Sequence, residues 1–187
     1  MTNARRLRDR VYVVTGATSV IGRAAALRIA AEGGGVVLAD LNEESLRGTA
    51  ATIEESGGRY AVLAGDVTDP EHPVRAVGLA QAEFEWIDGC VPAAGMLSIR
   101  SITEVRREEW ETIVGLNLTS VFCLDREVAE VAMTAGPGGA IVNFSFTSAH
   151  GDRPNNVDYG GSKLGLDYAT RTLAAHQPVA KVTSDRP

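Results

Sequence analysis

The chain has little cysteine, little lysine and no long apolar run. Cys90 and Cys123 each lie alone in an apolar stretch, so neither a disulfide framework nor a metal site is predicted, and a reducing cytoplasm fits best. No stretch approaches the roughly 18 apolar residues of a membrane span, and the basic residues 1–10 precede too few apolar ones for a secretory signal. With 18 basic and 24 acidic side chains the net charge is −6, which argues against a nucleic-acid partner.

Length and composition are those of one globular domain. At roughly 150 residues per domain, 187 residues predict a single domain over 1–187. Apolar residues make up 44% and charged residues 22%, which excludes a disordered or fibrous chain. The two ends, residues 1–9 and 177–187, carry little apolar surface, and we expect both to be frayed.

Short apolar runs alternate with helical segments along the chain. Each run is nearly continuous in apolar residues, as in a strand that helices cover on both faces. Strands are predicted at residues 10–15, 36–39, 59–64, 87–93 and 140–144, and helices at 21–31, 43–56, 70–84, 105–133 and 159–175. This alternation predicts an α/β fold with a doubly wound, Rossmann-like parallel sheet of five strands.

The turn between the first strand and the first helix reads TGATSVIG. Glycine lets the backbone approach a pyrophosphate, and the free N–H groups at a helix N-terminus attract its negative charge. We therefore predict that Gly16, Ser19, Ile21 and Gly22 bind a dinucleotide. The alternative is an ordinary strand-to-helix turn.

Two acids end neighbouring strands at the same edge of the predicted sheet. Asp40 follows the last glycine of the turn by 18 residues, close to the roughly 20-residue spacing of the acid that accepts hydrogen bonds from an adenosine ribose. It would repel a 2′-phosphate, and neither Ser19 nor Leu41 supplies a cation, so NAD is favoured over NADP. Asp66 and Val67 close the third strand, where the carboxylate could meet the adenine amino group. The alternative for each acid is a solvated turn residue.

Tyr159 and Lys163 are four residues apart in the last predicted helix, which places them on one face. A nearby ammonium favours the phenolate and lowers a tyrosine pKa from about 10 towards the range where it exchanges a proton with an alcohol or a ketone. The chain has 16 arginines and only two lysines, so a lysine at this spacing is less expected by chance than an arginine. The alternative is a helical tyrosine with an unrelated lysine.

The order of these motifs resembles the short-chain dehydrogenase/reductase family of NAD(P)-dependent oxidoreductases. The resemblance runs from Arg10 to about Ala175. It rests on TGATSVIG, Asp40, GDV at 65–67, PAAG at 92–95, LNLTSVF at 116–122, IVNFS at 141–145 and YGGSK at 159–163. The most specific of these is the Tyr-x-x-x-Lys pair with Ser162 before the lysine.

The resemblance implies hydride transfer between NAD and a small-molecule secondary alcohol or carbonyl compound. It gives Tyr159 the role of general acid/base, and Lys163 the roles of lowering the tyrosine pKa and holding the nicotinamide ribose. Asn117 would anchor a water of a proton relay, and a serine would hold the substrate oxygen. Ala94 and Gly95 are implied cofactor contacts, together with the tyrosine and the lysine.

Three positions depart from the family pattern. Val20 takes the place of the second glycine, and a β-branched side chain there can clash with the cofactor. PAAG replaces Asn-Asn-Ala-Gly, so Ala93 lacks the amide that usually braces the fourth strand. The serine is ambiguous, because the family's usual spacing from the tyrosine falls on Phe146. We assign Ser148, which begins SAHG, and Ser145 just before the expected place is the alternative.

Beyond the last predicted helix the family continues with two strands, a helical segment that covers the substrate and a final helix. The sequence shows no pattern for these elements, so the comparison predicts an unpaired edge on the fifth strand and a pocket without a lid. A catalytically silent or truncated dinucleotide-fold protein that binds partners is therefore the alternative to an active enzyme.

The two helical segments 105–133 and 159–175 carry more apolar positions than one face of a helix needs. These are Val114, Leu118, Val121, Phe122, Val128, Leu164, Leu166, Tyr168 and Leu173. In the family the corresponding helices pack against a second subunit. We therefore expect a homodimer or a higher homo-oligomer.

Overall fold

The computed structural model describes residues 6–135, 139–147, 151, 153–176 and 181–184. Within these ranges the strands are β1 (Val11–Thr15), β2 (Gly35–Asp40), β3 (Arg59–Ala64), β4 (Gly89–Pro92), β5 (Ala140–Asn143) and β6 (Lys181–Ser184). The helices are α1 (Val20–Ala31), α2 (Glu43–Glu55), α3 (His72–Phe84), α4 (Arg107–Val114), α5 (Ser120–Ala135) and α6 (Val157–His176), with a π-helical turn (Gly115–Thr119) between α4 and α5. None of these described helices is long and apolar enough to cross a bilayer.

The six strands in the described part of the chain form one parallel sheet in the order β3-β2-β1-β4-β5-β6. This is the doubly wound arrangement that the alternation of strands and helices predicts, and it confirms the fold class. The strand order reverses between β1 and β4. In such sheets a ligand binds outside the carboxyl ends of the strands beside that reversal.

Helices cover both faces of the sheet, which explains the apolar runs. One cluster packs the sheet against α3 and α5, and its members include Val13, Val37, Cys90, Val77, Leu124 and Val128. The other packs the sheet against α1 and α2, and its members include Val14, Leu38, Val91, Ala26, Leu46 and Ile53. Because neighbouring strand residues point to opposite faces, both must be apolar when both faces are covered.

The prediction of a single helix over residues 105–133 is wrong, because the structure has two helices there, separated by the π-helical turn. There the N–H of Ser120 bonds to the carbonyl of Gly115, five residues earlier. Asn117 is a buried polar residue in this turn, and its side chain bonds to the main chain of Met96. Such turns occur as local insertions in α-helices and leave no trace in hydrophobic periodicity.

The prediction of an unpaired edge on the fifth strand is also wrong. β6 runs parallel to β5 and pairs with all four of its residues, so one strand beyond the predicted five is present and part of the segment 177–187 is ordered in the sheet. At the other end, the N–H of Leu7 bonds to the carbonyl of Glu32, and Arg6 forms an ion pair with the Glu32 carboxylate. These contacts join residues 6 and 7 to Glu32, at the end of α1.

Candidate active site

The turn from β1 into α1 is held against the end of β4. Gly16 has a φ of +61°, and a Cβ atom there would lie 2.7 Å from the main-chain nitrogen of Ala94. A Cβ atom on Gly22 would overlap the carbonyl oxygen of Gly16. Both glycines are therefore required by the packing of the turn, which keeps Gly16 on the wall of a cleft.

Helix α1 begins directly after this turn, with Ser19 as its N-cap. The Ser19 hydroxyl donates to the carbonyl of Gly16 at 2.7 Å and accepts from the N–H of Gly22 at 3.2 Å. Val20 is 90% exposed at the first position of the helix, and Ile21 is 53% exposed. Among the described residues that line the cleft, the turn contributes Gly16 and Ser19 but not Ile21, Gly22 or Val20.

Asp40 faces the same turn from the carboxyl end of β2. Its Oδ2 accepts hydrogen bonds from the N–H and the hydroxyl of Thr18, at 3.1 and 2.7 Å. Its Oδ1 accepts a 3.3 Å bond from the N–H of Asn42. The carboxylate thus fixes the turn against β2, and because each oxygen has two lone pairs it could also accept hydrogen bonds from a ribose.

A cleft of about 810 Å³ lies over the carboxyl ends of the first four strands. Eight of the predicted cofactor-binding residues line it: Gly16, Ser19, Asp40, Leu41, Asp66, Val67, Ala94 and Gly95. The sequence analysis missed the wall that α4 contributes, through Glu108, Glu111 and Thr112, because these residues belong to no motif. The size of the cleft is in the range of cofactor sites.

Asp66 is fixed by its own loop. Its Oδ1 accepts hydrogen bonds from the N–H and the hydroxyl of Thr68, at 2.8 and 2.7 Å. The hydrogen bonds from Thr68 hold the pKa of the Asp66 carboxyl below its usual range. Asp66 is therefore ionised at neutral pH and can accept, but not donate, a hydrogen bond at the adenine end of the predicted site.

Asn117 is fully buried in the π-helical turn. Its Nδ2 donates to the Met96 carbonyl at 2.8 Å, and its Oδ1 accepts from the Met96 N–H at 2.9 Å. A Cβ atom on Gly95 would lie 3.0 Å from that Oδ1, so glycine allows the close approach. Both ends of the side chain therefore hold the segment after β4.

Tyr159 and Lys163 lie one turn apart at the start of α6. Lys163 is buried, and its Nζ donates a 2.8 Å bond to the carbonyl of Phe144, just after β5. The same Nζ lies 5.8 Å from the centre of the Tyr159 ring. Burial lowers the pKa of Lys163 to about 8 and raises the pKa of Tyr159. The predicted lowering of the Tyr159 pKa is therefore wrong for this structure, in which the ammonium meets a carbonyl and the ring rather than favouring the phenolate.

An aromatic ring occupies the expected serine position. Phe146 packs edge to face on Tyr159, with ring centroids 5.4 Å apart and planes at 74°. The Oγ atom of Ser145 is buried and has no hydrogen-bond partner in the part of the chain that the structure describes. Ser148, which the sequence analysis assigns, lies outside the described residues. The Ser162 hydroxyl donates to the main-chain carbonyl of Tyr159 at 2.7 Å, but within the described residues no serine forms a hydrogen bond with the Tyr159 hydroxyl.

A buried polar cluster beneath the site was not predicted. Asp125 of α5 accepts a 2.6 Å bond from the Asn143 side chain and a 3.5 Å bond from the Cys90 thiol. Asn143 also donates to the Thr170 hydroxyl of α6 at 3.0 Å. Burial raises the pKa of Asp125 to about 7. The sequence signal that could have revealed this cluster is one acidic residue, Asp125, on an otherwise apolar face of α5.

Comparison with known proteins agrees with this geometry. The sequence model for short chain dehydrogenases matches residues 10–183. A 3beta-hydroxysteroid dehydrogenase of Mediterraneibacter gnavus is 32% identical over 179 residues, which cover 95% of this chain and 64% of that protein. A D-threitol dehydrogenase of Mycolicibacterium smegmatis is 34% identical over 170 residues, which cover 91% and 65%.

A solved structure shows the same fold. The crystal structure of a short chain dehydrogenase from Mycobacterium smegmatis superposes with a TM-score of 0.88 at 26% identity, over 97% of this chain and 79% of that one. The chain spans just under two thirds of the length of the two curated relatives. The family match covers nearly all of the chain, and the protein belongs to the short-chain dehydrogenase family.

Proposed function

We propose that the protein is an NAD-dependent oxidoreductase that transfers hydride between the nicotinamide and a secondary alcohol or carbonyl compound. The observation that carries this proposal is that Lys163, one turn after Tyr159, is anchored at the end of β5, on the sheet edge that also holds Gly16 and Asp40. The named relatives support it, since by their names they act on a 3beta-hydroxysteroid and on D-threitol, which both carry secondary hydroxyl groups.

The residues of the cleft fit a dinucleotide. Gly16 and the N-terminus of α1 would face the pyrophosphate, and the Asp40 carboxylate would accept hydrogen bonds from the adenosine ribose. Ala94 and Gly95 would contact the stretch of the cofactor that leads from the pyrophosphate towards Tyr159. When bound, NAD supplies the hydride acceptor or donor.

The charge of the cleft supports NAD over NADP. Its wall in the described part of the chain carries four acids, Asp40, Asp66, Glu108 and Glu111, and no lysine or arginine. A 2′-phosphate adds roughly two negative charges and would find no cation to receive it. Arg107 pairs with Glu111 and reduces this repulsion, but Arg107 itself does not line the cleft.

The tyrosine would move the substrate proton. In reduction its hydroxyl gives a proton to the carbonyl oxygen, and in oxidation its phenolate takes the proton from the alcohol. Because burial raises the pKa of Tyr159, the hydroxyl is protonated at neutral pH and is ready for reduction. We therefore expect oxidation to speed up as the pH rises.

Titration of both cofactors tests the proposal. Tryptophan fluorescence is a suitable signal, because Trp110 lies on α4 next to the cleft wall. NAD should bind more tightly than NADP, and Asp40→Ala should lose that preference. Glu55→Ala, at an exposed acid outside the cleft, is the matched control and should keep it. Tighter binding of NADP by the unaltered protein would contradict the role of Asp40.

A catalytically silent protein is the second candidate, and Val20 and Phe146 are the observations that favour it. Val20→Gly removes the side chain at the first position of α1, and we expect it to strengthen NAD binding. If the unaltered chain binds neither dinucleotide while Val20→Gly binds NAD, the silent protein is the better description. Unchanged affinity would mean that Val20 points away from the ligand.

We further propose a homodimer. Of the apolar positions on the two helical segments, Val121, Val128 and Leu166 are buried in the subunit core and are not available to a second chain. Phe122 on α5 and Tyr168 on α6 remain exposed, as does Leu164, and they supply an apolar surface that a second copy could cover. Sedimentation velocity at tens of micromolar should give a dimer; a single monomeric boundary would contradict it.

A further inference from the structure

The ring of Phe146 contacts one charged group and a second ring. It packs edge to face on Tyr159, and the guanidinium carbon of Arg153 lies over it, 5.7 Å from its centroid. Arg153 in turn donates a long 3.5 Å bond to the Thr147 hydroxyl. Lys163 lies over the Tyr159 ring. Phe146 is therefore held beside the tyrosine by contacts on more than one side.

The same ring is open to a ligand. Phe146 is 40% exposed although it packs on another aromatic ring. Ser145 Oγ is buried, and Thr147 Oγ1 accepts a bond from Arg153. The exposed ring carbons of Phe146 are therefore the apolar part of the surface beside Tyr159.

We propose that Phe146 is a specificity-determining residue, which selects secondary alcohols and ketones whose reacting carbon is flanked by apolar groups. This inference rests on the proposed function. A cyclic aliphatic group can cover the exposed ring face and remove apolar surface from water. A polyol would press hydroxyl groups against the ring carbons, where they lose hydrogen bonds to water.

Steady-state kinetics with two alcohols tests the proposal. Cyclohexanol and meso-erythritol are compared as substrates with NAD, for the unaltered protein, Phe146→Ser, Phe146→Leu and Val74→Ser. The unaltered protein should prefer cyclohexanol in kcat/KM by roughly tenfold or more, as expected for apolar contact in a pocket. Phe146→Ser should lose most of that preference through a higher KM for cyclohexanol, while Phe146→Leu should retain it.

Val74→Ser is the matched control, because Val74 is a half-exposed apolar residue on α3, outside the cleft. Val74→Ser should show the same preference for cyclohexanol in kcat/KM as the unaltered protein. Should Phe146→Ser change kcat/KM by the same factor for both alcohols, the ring does not select and the proposal is wrong. Thermal melts of all variants show whether a loss comes from unfolding. If Phe146→Ser does not fold, the unaltered protein still tests the proposal, because equal kcat/KM for the two alcohols would overturn it.

Ligand binding without turnover separates this inference from the proposed function. If no alcohol is oxidised, the proposed function fails, and saturation-transfer NMR with the same two alcohols then decides the role of Phe146. Contact of cyclohexanol with the unaltered protein that is lost in Phe146→Ser supports the proposal. Equal signals from cyclohexanol and meso-erythritol, or a cyclohexanol signal unchanged in Phe146→Ser, would overturn it.

Discussion

The buried carboxyl of Asp125 should make the stability of the protein fall as the pH rises from 5 to 8. Burial raises its pKa from the ordinary 3.8 to about 7 in the folded chain, so the folded state holds a proton that the unfolded state has already lost. Over this range the folded state binds more protons than the unfolded one, and the free energy of unfolding therefore decreases with pH. At 1.36 kcal/mol per pH unit, the loss between pH 5 and pH 8 is about 3 kcal/mol.

Asp125→Asn removes the titration and keeps an acceptor for the Asn143 amide, whose bond to Asp125 is 2.6 Å long. Urea unfolding at pH 5, 6, 7 and 8 measures the effect. As the pH rises, the free energy of unfolding of Asp125→Asn should increase relative to that of the unaltered protein. His72, whose pKa is lowered by burial, contributes an opposite pH dependence to both proteins and cancels in the difference.

Glu55→Gln, at an exposed carboxylate on α2, is the matched control and should follow the unaltered protein at each pH. The reasoning is refuted if Asp125→Asn and the unaltered protein lose stability in parallel. It is also refuted if the difference between them shrinks as the pH rises, because either outcome would mean that folding does not raise the pKa of Asp125.

Three further substitutions test the site. Gly16→Ala places a side chain at a φ of +61° and against Ala94, so it should cost roughly 1–3 kcal/mol by urea unfolding and weaken NAD binding in the fluorescence titration. Asn117→Ala removes both hydrogen bonds to Met96 and should lower stability by about 2 kcal/mol, with circular dichroism checking that the fold is kept. Tyr159→Phe should reduce turnover by roughly 10²–10⁴ while NAD affinity stays unchanged; a loss of binding would show a structural role.

The parts of the fold that were predicted are those in which both faces of a strand are buried. β1 and β2 consist almost wholly of apolar residues because clusters pack on each side of them. β6 has the sequence KVTS, with a single large apolar residue, and lies at the edge of the sheet beside β5. A short polar edge strand has no periodic signal, so its pairing could be seen only in three dimensions.

The candidate site likewise has parts that the sequence predicts and parts that it does not. Gly16 and Asp40 were predicted because backbone approach and ribose binding need particular residue types at particular spacings. The α4 wall of the cleft, including Glu108, could not be predicted because it arises from the way α4 crosses the sheet edge. Phe146 was flagged by its spacing from Tyr159, but its edge-to-face contact depends on the loop after β5.

The site has one half around the glycine turn and another around Tyr159. The two halves differ in how many of their buried polar atoms form hydrogen bonds, and this predicts that the half around the glycine turn is the more rigid. Around the glycine turn, Thr18 bonds to Asp40, and Ser19 caps α1. Around Tyr159, by contrast, one buried oxygen each of Ser145, Asn156 and Asp158 has no hydrogen-bond partner among the described residues.

A buried polar atom without a partner costs roughly 1–3 kcal/mol, so local opening at the start of α6 should be easier than at the start of α1. Hydrogen exchange followed by mass spectrometry should show faster exchange in a peptide over residues 156–165 than in one over residues 16–25. NAD should slow the exchange of both peptides, because it would contact both halves. Equal protection in the free protein would mean that the unpartnered oxygens do not weaken this end of α6.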